Sequence, residues 1–528
     1  MRSPRTLPTR LILFAALAAA LVPCAPRVAT AQAAPADRPF PFAEADIAGL
    51  QTLMGAGELD SATLARAYLD RIATLDRAGP RLRAVLELNP DALREAAERD
   101  RERRAGHVRG PLHGIPVLLE DSINARPMAT TAGSLALAGF RPPNAFLMRR
   151  LREAGAVVLG KANLSEWSSY RSSTAVAGWS ARGGQTRNPY DPQRSPCGSS
   201  SGSAVAVAAN LVVAAVGTGT GGSLLCPAAM NGVVALRPTV GLISRDGIVP
   251  VSYSQDTPGP LARTVADAAA LLTAMAGRDA ADPATATVPG RAVYDYSARL
   301  GAASLHGARI GLLDDPLSRQ PGIDSLMQQA SDELRRGGAS VIRIPALDPA
   351  TWREAEQTLL RFEFKAGLER YLQRWDAPLR SLPELVAFNR ARATEELPLF
   401  GQELLEAASA AGTLGDPAYL QARGVARRMA GEQGIDALLR AYRLDALVAP
   451  TTGLPRPIAA GDDAVPGGPY GAAVVAGYPS LSVPMGHVDG LPVGLLFMGT
   501  AWSEPRLLEL AHAYEQRTMA RRPPPLDR

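Results

Sequence analysis

From residue 43 onward, segments whose apolar positions recur every three to four residues alternate with short apolar runs. Ile47, Leu50 and Met54 share one helical face within 43–54, and Gly55 and Gly57 stop that helix. A second helix starts at Asp60 or Ser61 as N-cap, carries Leu64, Tyr68, Ile72 and Leu75, and ends at Gly79-Pro80. Residues 83–88 and 115–119 read as strands, and Asn89-Pro90 opens a charged helix to about Arg104 with a solvated face. Further on, Thr264 caps a helix through Met275, and 308–313 and 444–449 are strands. Helical patterns occupy 322–337, 352–374 and 417–443. Two strands fall within 477–499, and a last helix starts near Glu504. Strands alternating with helices from end to end indicate an α/β fold, with 280–290, rich in Pro, Ala and Thr, as the best candidate internal boundary.

One stretch, 195–226, breaks this rhythm. Two Gly/Ser clusters, 198–203 and 217–223, bracket an Ala/Val run without a single charge. Such a run has no solvent face, so 203–210 is expected as a buried helix and 211–216 as a buried strand. A flexible linker would not enclose a run fit only for a core. Gly217, Gly219, Gly221 and Gly222 let the main chain turn sharply and approach a ligand, and Ser223 follows beside free N–H donors. The segments after it, 237–239, 244–247 and 256–260, read as turn-rich connections.

Composition changes this picture at one end. Arg2, Arg5 and Arg10 precede the apolar run 11–22, and Ala29-Thr30-Ala31 offers a small-residue cleavage site, so 1–31 reads as a secretory signal peptide and the protein as exported, periplasmic or secreted. Without that segment the formal charge falls from +5 to +1, which removes any electrostatic case for nucleic acid. Cys197 and Cys226 are expected as two buried free thiols, with an export-permitted disulfide as the alternative. The five histidines form no ligand-like spacing, so neither metal nor cofactor is expected.

The two clusters resemble the hallmark of the amidase signature family, a Gly-Gly-Ser-Ser-Gly-Gly-Ser-like cluster followed by Gly-Thr-(Asp/Glu)-x-Gly-Gly-Ser. The resemblance runs from about Phe40 to Pro523 and implies one domain over 38–523: α/β, with a large mixed central sheet surrounded by helices. The phrases at 179–190, 363–371 and 499–505 look like those of bacterial peptide amidases, which release ammonia from C-terminally amidated peptides. It further implies Ser223 as nucleophile and Ser199, 24 residues earlier, as the serine that bridges it to a lysine. The N–H groups of Thr220, Gly221, Gly222 and Ser223 would then hold the oxyanion. The family's lysine phrase, Gly-Ile-Pro-x-x-x-Lys-Asp-Asn-Ile, reads Gly114-Ile115-Pro116-Val117-Leu118-Leu119-Glu120-Asp121-Ser122-Ile123 here, so Glu120 stands in the lysine slot.

A neutral lysine in that slot accepts the nucleophile's proton and returns one to the leaving ammonia. A carboxylate with pKa near ~4 is a poor base, and one raised by burial is protonated. Ser122 in place of asparagine and Gly219 in place of Asp/Glu are two further departures. Lys161 lies in a familiar family phrase with a structural or site-lining role. The alternative for Glu120 is a surface charge just beyond its strand. The expected function is therefore amidase hydrolysis of a carboxamide, the C-terminal amide of peptides, with impaired turnover. The alternative is an inactive relative that binds amidated peptides. The substrate is a small amide or amidated peptide, with no nucleic acid, no membrane association once the leader is removed, and a monomeric state. The amidotransferases that work on charged tRNA share the signature, but the leader and the near-neutral mature chain oppose that role.

Overall fold

The structure, a computed structural model, describes residues 40–289, 295–459 and 468–526. The leader expected over 1–31 lies outside the described residues. In chain order the strands are β1 (Val85–Leu88), β2 (Pro116–Glu120), β3 (Val157–Ala162), β4 (Trp179–Ser180), β5 (Gly184–Gln185) and β6 (Ala214–Gly219). There follow β7 (Val234–Arg237), β8 (Thr257–Ala262), β9 (Arg309–Leu313), β10 (Ser340–Ile344), β11 (Ala446–Pro450), β12 (Ser480–Val488) and β13 (Leu491–Met498). Eleven of them form one sheet in the order β1-β3-β2-β6-β8-β7-β12-β13-β11-β9-β10, while β4 and β5 pair separately. The sheet is mixed: β3, β2 and β6 run parallel, as do β11, β9 and β10, and the strands between them are antiparallel.

Helices pack around this sheet, and β2, β3, β8, β11 and β13 are buried along their whole lengths. Strands covered on both faces need continuous apolar sequence, which is why these segments show no alternation. The domain is thus a single mixed α/β unit, and the compact part spans Phe42–Arg528 without a division at 280–290. The expected boundary there fails because Asp282 accepts both Nε and Nη2 of Arg245, and Thr285 accepts the N–H of Asp279, which folds the segment back onto the body. Among the described residues, no helix is long and apolar enough to cross a membrane.

Local signals held where caps were explicit. The Asp60 side chain accepts Thr63 N–H ahead of the helix Ser61–Arg71, and Thr264 accepts Asp267 N–H ahead of Val265–Met275. The central stretch shifts. Its helix is Ser201–Ala208, and its strand begins at Ala214 rather than 211 and takes in Gly217 and Gly219. Asn210, at φ 56°, turns the chain first. Residues 257–260, expected as a turn, lie inside β8: pairing with β7 covers only Leu261 and Ala262, so Pro258 and Pro260 sit where that ladder asks for no donor. β10, a short half-exposed edge strand, was not expected.

Candidate active site

β2 and β6 run side by side in parallel, Val117 opposite Ala214 and Leu119 opposite Val216. Their carboxyl ends therefore open at one edge of the sheet, where open α/β sheets commonly bind ligands. Glu120 ends β2 and is fully buried, so it is no surface charge. Its Oε2 accepts the Ser200 hydroxyl at 2.5 Å and the Thr218 N–H at 2.7 Å, and its Oε1 accepts the Thr218 hydroxyl at 2.9 Å. Ser122 Oγ, 3.2 Å from Thr218 Oγ1, belongs to the same cluster. Burial pushes the Glu120 carboxyl up to about 7, against these three hydrogen bonds and with help from the neighbouring Asp121 charge. This is the second of the two states weighed for residue 120, a carboxyl that burial keeps protonated up to near neutral pH. Position becomes the deciding matter. Among the described residues, Glu120 meets Ser200 and Thr218, and no hydrogen bond joins it to Ser199 or Ser223.

β6 passes the chain to Thr220–Ser223, after which the helix Leu225–Met230 begins. Thr220, Gly221, Gly222 and half-buried Ser223 line a cavity of about 280 Å³. Among the described residues, the N–H groups of these four donate to no protein acceptor. A hydroxyl beside unpaired backbone donors is the arrangement that acyl transfer needs for its oxyanion. None of the four glycines at 217, 219, 221 and 222 adopts left-handed φ, so sharp turning is not their use. At two of them close approach is: a Cβ at Gly217 would lie 2.5 Å from Ser200 Oγ, and one at Gly222 would lie 2.4 Å from the Tyr470 ring.

The earlier cluster is arranged differently from the expectation. The Gly198–Ser199 peptide is cis. Ser199 is buried, its carbonyl accepts the N–H groups of Ser165 and Ser201, and its hydroxyl makes no hydrogen bond. It is the next residue that links the clusters: Ser200 N–H donates to the Ser223 carbonyl at 3.1 Å, while its hydroxyl meets Glu120. Cys197 and Cys226, expected as free thiols, form a disulfide with Cα atoms 5.9 Å apart. The fold brings the start of one cluster against the helix behind Ser223, and both cysteines line its cavity. Lys161 is fully buried and occupied elsewhere: its Nζ donates to the carbonyls of Ile123 and Ala129 and lies 3.2 Å from Asp121 Oδ1.

Three participants escaped the sequence reading. Ser200 and Thr218 stood in the right phrases without a distinguishing feature. Asp256 was hidden in a run read as a turn. Its Oδ1 accepts the Thr220 hydroxyl at 2.7 Å, and its Oδ2 accepts the N–H groups of Val251 and Ser252 at 2.8 and 2.9 Å. It therefore holds the Thr220–Ser223 loop from the strand side, where Gly219 supplies no carboxylate. Burial pushes its carboxyl up to about 6 in spite of those bonds. The cavity lining also includes Ser168, Ser169 and Tyr170. Trp167, Ser168 and Ser169 all have positive φ, a strained run behind which Glu166 and Arg171 form a fully buried ion pair. Among the described residues, no cluster of three or more His, Cys, Asp or Glu side chains is placed to hold a metal.

The sequence profile of the family described as Amidase matches residues 63–508. The native peptide amidase of Stenotrophomonas maltophilia, solved by X-ray crystallography, is 68% identical with a TM-score of 0.91, over 93% of this chain and 100% of that one. A probable amidase of Arabidopsis thaliana is 40% identical over 501 residues, 92% of each chain. A putative amidase of Schizosaccharomyces pombe is 37% identical over 511 residues, covering 89% of this chain and 85% of that one. Because the profile runs unbroken from the helix that Asp60 caps to the helix Glu504–Thr518, enclosing the whole sheet and the Ser223 loop, this chain belongs to the amidase signature family of hydrolases.

Proposed function

We propose that this protein binds the C-terminal carboxamide of short peptides at Ser223 and hydrolyses it slowly to carboxylate and ammonia. The observation that carries this reading is Ser223 in a cavity of about 280 Å³ beside four unpaired backbone N–H groups. Likeness to a peptide amidase over nearly the whole chain supports the substrate class. In such a reaction the Ser223 oxygen bonds to the amide carbon, the oxyanion is held by the loop, and the C–N bond breaks as the nitrogen gains a proton. Water then releases the carboxylate from the acyl-enzyme.

What limits turnover is the proton path. Glu120 takes the place of the family's amine, and its contacts lead to Ser200 and Thr218 rather than to the nucleophile. Loss of one member of a catalytic triad in serine hydrolases lowers kcat by roughly 10⁴ to 10⁶, leaving catalysis from binding and oxyanion donors. The same observation favours a second reading, a binding protein that retains amidated peptides without turning them over. We further propose export, on the strength of the basic-apolar leader sequence and of a disulfide, a bond that persists in oxidising compartments.

Calorimetry with an amidated dipeptide, run beside an ammonia assay, tests these readings. Binding with slow, Ser223-dependent ammonia release is the expected result. Binding without any release favours the binder, and absence of both for every peptide amide overturns the substrate class.

A further inference from the structure

The cavity that holds Ser223 is not chemically even. Its lining includes Glu356, on the helix Arg353–Arg374, and Gln255, from the loop before β8. Gln255 is 1% exposed. Its Nε2 donates to Glu356 Oε1 at 3.2 Å, which fixes the orientation of the amide and leaves Oε1 as the free end. That Oε1 is buried and has no hydrogen-bond partner among the described residues. Unpartnered buried acceptors are uncommon in native proteins and each asks for an explanation.

Glu356 adds a negative charge to the same lining. Among the described residues, no Lys, Arg or His lies within ion-pair distance of it. Burial raises the pKa of its carboxyl, with Arg353, one turn earlier on the helix, acting against that shift. Glu356 and Gln255 thus place a half-buried carboxylate and a buried, unpartnered amide oxygen in the lining of one cavity, two acceptors side by side. Such a pair recognises a donor, and a positively charged one relieves the desolvated carboxylate as well. Glu356 also borders a neighbouring cavity beside Trp352 and Gly468, but of these two Gln255 lines the one that contains Ser223, which decides where the pair acts.

We infer that Glu356 and Gln255 form a subsite for a cationic group of the amide bound at Ser223, an inference that rests on the peptide-amide reading above. The cavity, at about 280 Å³, is small beside the ~300–1,000 Å³ usual for ligand sites, so the cation belongs to a ligand of one or two residues. Two sources share this chemistry: the α-ammonium of an unblocked dipeptide amide and the side chain of a basic residue.

Three ligands separate them in calorimetric titrations of the full chain: alanyl-alaninamide, its N-acetyl derivative, and N-acetyl-lysinamide. At least one cationic ligand is expected to bind the wild type about ten- to a hundredfold more tightly than the neutral one. Glu356→Gln should abolish that preference while leaving the neutral ligand's affinity unchanged, and Gln255→Leu should reduce it. Which of the two cationic ligands is favoured assigns the source. Equal affinity for all three, or a preference that survives Glu356→Gln, overturns the subsite while the amide site stands. If none of the three binds, the peptide-amide reading falls and the subsite falls with it.

Discussion

Ser200 donates its hydroxyl to Glu120 at 2.5 Å while its backbone N–H donates to the Ser223 carbonyl at 3.1 Å. One residue thus holds the Ser223 loop with its main chain and the buried carboxyl with its side chain. The cluster is well satisfied, yet its hydrogen bonds lead away from the Ser223 hydroxyl.

The protonation of Glu120 should be visible in stability. Its carboxyl is raised from 4.5 to about 7 in the folded protein, so between these values the folded state binds more protons than the unfolded chain. Its contribution is full below about 4.5 and is lost as pH rises through 7. Glu120→Gln removes the titration and keeps the two bonds to one oxygen, while its amide N–H donates to the Thr218 hydroxyl in place of the third. The variant is therefore expected to gain about 3 kcal/mol over the wild type at pH 8 and little at pH 5, as read from urea midpoints. A difference that does not change with pH would contradict the assignment.

Asp256 ties three donors from two loops to one side chain. Asp256→Ala strands those donors and is expected to cost about 2–4 kcal/mol of stability, with weaker binding of a dipeptide amide. Asp256→Asn, which still accepts, should lose less on both counts. Equal losses for the two variants would remove Asp256 from its role in holding Thr220.

The Cys197–Cys226 disulfide joins residues 29 positions apart and closes a segment that contains the Ser199 cluster and Ser223. Chain entropy alone gives such a loop about 3–4 kcal/mol of stabilisation. Unfolding in urea with and without a thiol reductant should show a shift of that order, and a Cys197→Ser/Cys226→Ser protein should behave like the reduced form. Identical midpoints with and without reductant would mean that the link does not constrain the unfolded chain.

Lys161 provides a contrasting prediction, because it is buried against Asp121 and donates to two carbonyls. Lys161→Met leaves an unpaired buried carboxylate and is expected to cost about 3–5 kcal/mol. The ammonia released per folded molecule should stay within a few-fold of wild type. A thousandfold loss at unchanged stability would place Lys161 in the proton path.

Much of this was legible in the sequence because it was written in local rules. Asp60 and Thr264 announced their helices, and the uncharged run before Ser223 announced a buried helix and strand. What stayed hidden depends on which distant segments meet. Asp256 reaches Thr220 only because β8 lies beside β6, and a strand holding Pro258 and Pro260 reads as a turn until its neighbours are known. The pairing of Cys197 with Cys226 likewise follows from the packing of two glycine-rich clusters. The basicity of Glu120 follows from burial, which no residue spacing reveals.

The most direct test of the account places an amine at the end of β2. Glu120→Lys, combined with Ser122→Asn and Gly219→Glu, restores the family's residues at the three departures. At position 219 an added Cβ would lie 3.2 and 3.3 Å from Leu224 Cδ1 and Cγ and 3.8 Å from its backbone nitrogen, so the Leu224 side chain has to shift by a few tenths of an ångström to admit it. Ammonia release from an amidated dipeptide should rise by at least ~10³-fold over the wild type. A triple variant no faster than the wild type, or a wild type already turning over at the ~1–10³ s⁻¹ usual for enzymes, would contradict it.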